Sequence, residues 1–344
     1  MQVWIRRFAL LLLPLGFLAV MVAAPLLSLA FYDGEGAWAE VVADDYMRLR
    51  LGWTVAQAVL TCVLVTALGV PAAWVLARMD FAGRRTVLRL LMLPFVMPTL
   101  VAGMGVLALF GAHGMLATGW QDTPWLLIYG NVFFNLPVLV RSAYQGFVRV
   151  PQARLLSAQS LGADAWRRFV WVEWPVVRTW VAGGACLVFL YCFSGFGLAL
   201  LLGGERFATV EVEIYRLVAY ELDMARASVL VWLVLAVTAA AGGLYAYWSK
   251  RVAVDKSVSP LPPRAPIWAW EKWLTATVLA MLAVCCLLPL AAVWLKAVSA
   301  GSSWAVLLEA QTWAAVWNTV RFSAAAVAAA TVLGVLYAAA ARQM

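Results

Sequence analysis

The chain has 344 residues, of which 65% are hydrophobic and 12% charged, with a formal charge of +8. A soluble domain carries roughly 25% charged residues, so there is too little charge here to cover a water-exposed globule. There is also too much apolar content for a disordered chain. The five cysteines, Cys62, Cys186, Cys192, Cys285 and Cys286, lie in apolar runs without disulfide or zinc spacing and read as small buried hydrophobes. What remains is an all-α polytopic membrane protein.

A bilayer core of about 30 Å takes roughly 20 apolar residues of helix. Eight stretches meet that length: 8–31, 54–77, 90–112, 125–147, 180–202, 228–248, 273–295 and 319–341. The first is longer than the apolar region of a signal peptide and is followed by no clear small-x-small cleavage site, so it reads as a retained span. With Arg6 and Arg7 placed inside, every inside segment is basic. Together these segments hold 17 basic residues against five acidic ones: Asp80, Asp164, Glu173, Asp255 and Glu271. The other 12 acidic residues fall outside. The bias never reverses, which predicts eight transmembrane helices with both ends of this chain cytoplasmic. The net positive charge is then the sum of inside loops and calls for no nucleic acid.

An internal repeat is visible at an offset of 265. Thr54-Val55 returns as Thr319-Val320, and Thr66-Ala67-Leu68-Gly69-Val70 as Thr331-Val332-Leu333-Gly334-Val335. The repeat predicts a six-span unit over 1–250 and a proline-stiffened linker over 251–272. The first two spans of a second, parallel unit follow over 273–344. On this pattern the chain stops before its second unit is complete.

Several polar or helix-breaking residues lie within or between the spans. Pro94 and Pro98 in the third span free backbone carbonyls, so that helix is expected to bend. The bend either lines a path or only fits the bundle. The fourth span holds Asn131 and Asn135, one helical turn apart and able to bridge helices. It also holds Arg141, which either faces a path or snorkels to the headgroups. Outside, Glu211 and Glu213 precede an apolar stripe, as a gating element or an interfacial helix with an acidic face would show.

The inside segment 149–179 is too long for a plain turn. Gln152 to Leu161 has helical spacing, Gly162 interrupts it, and Asp164 is placed to cap a second helix to Trp171. Pro175 is expected to break or kink the chain before the fifth span. A helix, glycine turn and helix at the inner face either fills a partner's groove or lies on lipid.

The spacing resembles the cytoplasmic loop signature of permease subunits of binding-protein-dependent ABC importers. That signature is Glu-Ala-Ala, three residues, Gly, nine residues, aliphatic, one residue, aliphatic, Pro. Here it runs Leu156-Ser157-Ala158, Gly162, Val172, Trp174, Pro175. The Gly-to-Pro spacing fits, while Leu156 and Ser157 replace the opening Glu and Ala. Arg167 and Arg168 lie within the same loop. The resemblance implies an ABC importer permease fold in which this loop is the coupling helix seated on a cytoplasmic ATPase. SLGADAWRRFVWVEWP from Ser160, FFNLP from Phe133 and TVEVEIYRLVAYELDMARASVL from Thr209 are similar to the thiamine importer permeases, with ferric-iron importer permeases next.

The resemblance further implies an inner-membrane permease served by a dimer of ATPase subunits and a periplasmic binding protein. ATP and magnesium would be used by the ATPase, with no cofactor held by this chain. No catalytic triad, phosphate loop or metal-ligand cluster is evident in the sequence, and His113 stands alone. The different-class alternative, an ion-coupled secondary transporter, needs an acid well inside a span, and none is found.

Overall fold

A computed structural model describes residues 12, 14–31, 36–116, 118–250 and 260–342. The regular secondary structure among the described residues is helical, apart from two isolated backbone bridges. In chain order the helices are α1 (Pro14–Leu29), α2 (Ala37–Ala43), α3 (Asp45–Arg78), α4 (Arg84–Val96), α5 (Thr99–Phe110) and α6 (Pro124–Val148). Then come α7 (Gln152–Ser160), α8 (Ala165–Phe193), α9 (Phe196–Leu202), α10 (Val210–Arg216) and α11 (Met224–Lys250). After these follow α12 (Ala269–Val298) and α13 (Ala310–Arg342).

Six of these, α3, α6, α8, α11, α12 and α13, are long and apolar enough to cross a bilayer. The broken pair α4 and α5 makes a seventh if counted as one span. The expected count of eight is therefore not reproduced among the described residues. The first expected span, 8–31, lies partly outside them, and its described part is the shorter helix α1.

The third span bends at its prolines as expected, and the bend is a break in the helix. α4 and α5 meet at 103° across Met97-Pro98. Pro98 has no N–H to donate to Pro94, and Met97 is held extended at ψ 146° as the residue before proline, as proline requires of its predecessor. The fifth span also differs. α8 starts at Ala165 and runs through Pro175, because a wide turn at Phe169–Glu173 re-registers the helix first. The Trp174 N–H bonds the Phe169 carbonyl five residues back, a π-turn. The span then breaks at Ser194-Gly195, and α9 completes the apolar stretch.

Two compact units divide the chain: residues 38–296, and residues 1–37 with 297–344. In the first, α3, α6 and α8 form the core. Small residues let their backbones approach. A Cβ added at Gly184 of α8 would stand 2.9 Å from the Ser142 Cβ of α6, and one at Gly69 of α3 would stand 2.9 Å from Leu139. α5 is pressed against α12, where a Cβ on Gly105 would lie 2.8 Å from the Pro289 carbonyl oxygen. A carbonyl cannot move aside as a side-chain end can. Gly105→Val is therefore expected to destabilise by about 1–3 kcal/mol. It should lower the thermal unfolding midpoint in detergent, whereas Gly243→Ala, with open space around it, should not.

In the second unit, a short tight helix at Gly301–Leu308 precedes α13. The 30 residues Ala310–Ala339 of α13 include no buried residue.

Candidate functional site

The bundle core carries a polar seam. Gln57 of α3 donates to the Cys192 carbonyl of α8 at 2.9 Å and accepts from Asn131 of α6 at 2.7 Å. Asn135 donates to the Asn131 carbonyl at 2.9 Å and contacts Cys192 Sγ at 3.3 Å. Gln57, Asn131 and Asn135 are all buried. These bonds tie three helices together, which is the bridging role open to the two asparagines. Gln57→Leu leaves Asn131 without its acceptor. It should cost about 1–3 kcal/mol, measured as a lower unfolding midpoint in detergent. Arg141, by contrast, is exposed on α6 and borders a cavity of about 200 Å³ with Leu88, Met92 and Tyr144.

Glu213 is buried at the end of the bundle where α3 begins. It accepts from the Tyr46 hydroxyl at 2.9 Å and lies 3.9 Å from both Arg50 and Arg216. Arg50 reaches over to the Glu205 and Arg206 carbonyls at 2.6 and 2.7 Å. This set of contacts clamps the 203–216 segment to α3. Glu211, two residues away, is half-buried, and desolvation pushes its carboxyl above the ordinary carboxylate value.

At the opposite, basic end stands the α7–Gly162–α8 elbow. Gly162 has φ +81°, a conformation that costs any residue with a Cβ. Its N–H bonds the Gln159 carbonyl at 2.9 Å, and the Ala163 N–H bonds the Ala158 carbonyl at 3.0 Å. This pair is a Schellman closure of α7. Asp164 then accepts from the Arg167 N–H at 2.7 Å, capping α8. One turn of chain thus ends one helix and starts the next with their orphan backbone groups paired.

Of the residues matching the loop signature, Leu156, Ser157, Gly162, Arg167 and Pro175 are exposed, and Ala158, Arg168, Val172 and Trp174 are half-buried. Leu155 turns inward at 6% exposure, while Leu161, Trp166 and Trp171 stand out at 87%, 69% and 77%. An exposed apolar cluster of this kind either meets a partner or lies against lipid.

The elbow is wired into the bundle. Phe169 lies 5.8 Å from Trp166, 6.1 Å from Trp174 and 6.3 Å from the fully buried Phe147 of α6. Below it, Glu173 is buried against Arg78 at the end of α3. Both Nε and Nη2 of Arg78 lie 2.7 Å from the Glu173 carboxylate, and Trp74 Nε1 donates to it at 3.0 Å. Arg78 also donates to the Phe147 carbonyl at 3.1 Å. The segment before α12 is docked here too. The Asp80 N–H bonds the Arg264 carbonyl and the Arg264 N–H bonds the Arg78 carbonyl, at 2.7 and 3.0 Å. Pro151 and Pro260 are also bridged.

Sequence reading missed Arg78, Glu173 and Phe169 as a group. The available signal was Glu173 itself, an acid set among Trp171, Val172, Trp174 and Pro175, which needs a buried cation.

Long apolar helices around a sealed polar seam, with a rigid elbow exposed at the basic end, define a membrane permease component. Among the described residues no group of His, Cys, Asp or Glu could hold a metal ion. The chain belongs to the family of binding-protein-dependent transport system inner membrane components, whose family model matches residues 66–254. It is 32% identical over 322 residues to the thiamine transport system permease protein ThiP of Salmonella typhimurium, covering 90% of this chain and 58% of that one. The chain thus spans under two thirds of the length of that relative. It is 27% identical over 209 residues to the sulfate transport system permease protein CysW of a Synechocystis strain, covering 58% of this chain and 76% of that one. In fold it resembles a chain of a bacterial alginate ABC transporter crystallised with an alginate-bound periplasmic protein. The TM-score is 0.59 at 14% identity, over 73% of this chain and 95% of that one.

Proposed function

We propose that this chain forms part of the translocation path of an ATP-driven importer for thiamine, delivered by a periplasmic binding protein. The elbow at Gly162 is the seat of a cytoplasmic ATPase subunit. The basic end of the bundle faces the cytoplasm, with both chain ends on that side, a reading the charge bias supports. The ATPase dimer binds and hydrolyses ATP with magnesium; this chain holds no cofactor.

The observation that carries the reading is the elbow. Its exposed face, Leu156, Leu161, Trp166 and Trp171, is fixed by a closed turn and joined through Phe169 to Phe147 of α6. A push on the outer face therefore reaches the spanning helices without melting the turn. The break at Met97-Pro98, with Pro94 on the same side of it, supplies a bend where a path could open, and Arg141 lies near its inner end. The Glu211 and Glu213 segment at the other end is the candidate gate beneath the binding protein. The thiamine assignment draws on the identity to ThiP across 90% of this chain.

The test is ATPase activity of the membrane-embedded permease with its ATPase and binding protein. Stimulation by thiamine-loaded binding protein alone supports the assignment. Stimulation by a ferric- or sulfate-loaded counterpart instead would keep the importer and replace the substrate. Proton-coupled uptake without an ATPase would overturn the importer reading.

A further inference from the structure

We infer that a cavity beside the elbow is a binding site for a phosphate-type oxyanion. It has a volume of about 380 Å³ and is lined by Trp74, Arg78, Gln159, Arg168, Arg264 and Trp268, among others. The site lies between the end of α3, the elbow and the docked segment before α12, and the inference does not depend on which substrate is carried.

Three guanidinium groups border this one space, and their charges are not all matched. Arg264 is paired with Glu271 through two bonds at 2.5 and 3.1 Å. Arg78 is paired with Glu173, but its side chain is only 6% exposed and its Nη1 is buried without any acceptor. Arg168 has no acidic partner among the described residues. Glu173 also lines the cavity; the two paired carboxylates against three guanidinium groups leave one uncompensated positive charge, that of Arg168. A half-buried cation without a partner favours an anion, and guanidinium forks match phosphate oxygens.

The volume exceeds what a bare phosphate needs and falls at the lower end of small-ligand sites. The two indoles that flank it suit the non-phosphate part of an ester. Two sources share this chemistry: a soluble phosphate monoester and the headgroup of an anionic phospholipid.

The experiment uses the full chain in two arms. Equilibrium binding of radiolabelled inorganic phosphate is measured in phosphatidylcholine nanodiscs. Retention of phosphatidylglycerol is measured by native mass spectrometry in detergent. Arg168→Gln is compared in both arms, because Arg168 is half-buried on a helix surface and its loss leaves the Arg78–Glu173 pair intact. Circular dichroism checks that this variant keeps its helices. Saturable phosphate binding identifies a soluble ligand, and retained phosphatidylglycerol identifies a lipid. In either case Arg168→Gln should weaken binding at least about tenfold, the loss of one charge-assisted bond. No saturable phosphate binding together with no retained lipid overturns the proposal. An affinity unchanged in Arg168→Gln overturns it equally.

Discussion

Glu173→Ala should lower the unfolding free energy of this protein by about 3–5 kcal/mol, the cost of leaving a buried cation unpaired. The Arg78 side chain is 6% exposed and that of Glu173 5%, so water cannot replace the lost carboxylate. Trp74 Nε1 loses its acceptor in the same step. Arg78→Met alone should cost a similar amount. The double substitution Arg78→Met with Glu173→Leu should cost far less than the sum, because two well-packed apolar residues can replace a buried ion pair at little cost. Unfolding in mixed micelles titrated with sodium dodecyl sulfate would measure all three. Additive losses in the double variant would show that the two residues do not act as a pair.

Gly162→Val should abolish ligand-stimulated ATPase activity in the assembled transporter while leaving the chain folded. The reason is local. Gly162 sits at φ +81° with no heavy atom within 4 Å of where a Cβ would stand. Steric crowding from neighbours therefore cannot be the cause of any defect. The defect must come from the backbone: a β-branched residue disfavours the left-handed turn, opens the two closing bonds and swings α7 relative to α8. Gly162→Asn separates the explanations, since asparagine tolerates this conformation. Asn should retain most of the stimulation and Val less than about a tenth of it, which corresponds to a penalty of roughly 1–2 kcal/mol per left-handed residue. Equal activity in both variants would remove the elbow from the coupling route.

Hydropathy located the membrane helices because long apolar runs have few other uses. It located their apolar windows rather than their ends. α3 starts at Asp45, nine residues before the expected span, because a helix continues through polar residues while its backbone bonds are made. The elbow was legible in detail: a glycine between two short helical patterns and an aspartate placed as a cap are local signals. The bend at Met97-Pro98 was half legible. Two prolines announced it, but neither its 103° angle nor the packing of α5 against Pro289 of α12, far along the chain, could be read from them. The ion pair was not legible, since Arg78 and Glu173 are 95 residues apart. Nothing in either neighbourhood names the partner. Pro175 was expected to break or kink the chain; the helix runs on through it, with a π-turn at Phe169–Glu173 just before it that the sequence did not announce.

The docked segment at 260–264 changes how α12 finds its place. Its bridges to Met79 and Pro151 hold the start of α12 beside the bundle, so α12 packs on α5 as an intramolecular partner. For such a partner the relevant quantity is a local concentration, in the millimolar range for short tethers. A polypeptide cut between Lys250 and Pro260 would lose the covalent tether but keep both bridges. The two pieces, expressed together, should co-purify, with the second held by a hydrogen-bonded clasp where a peptide bond had been.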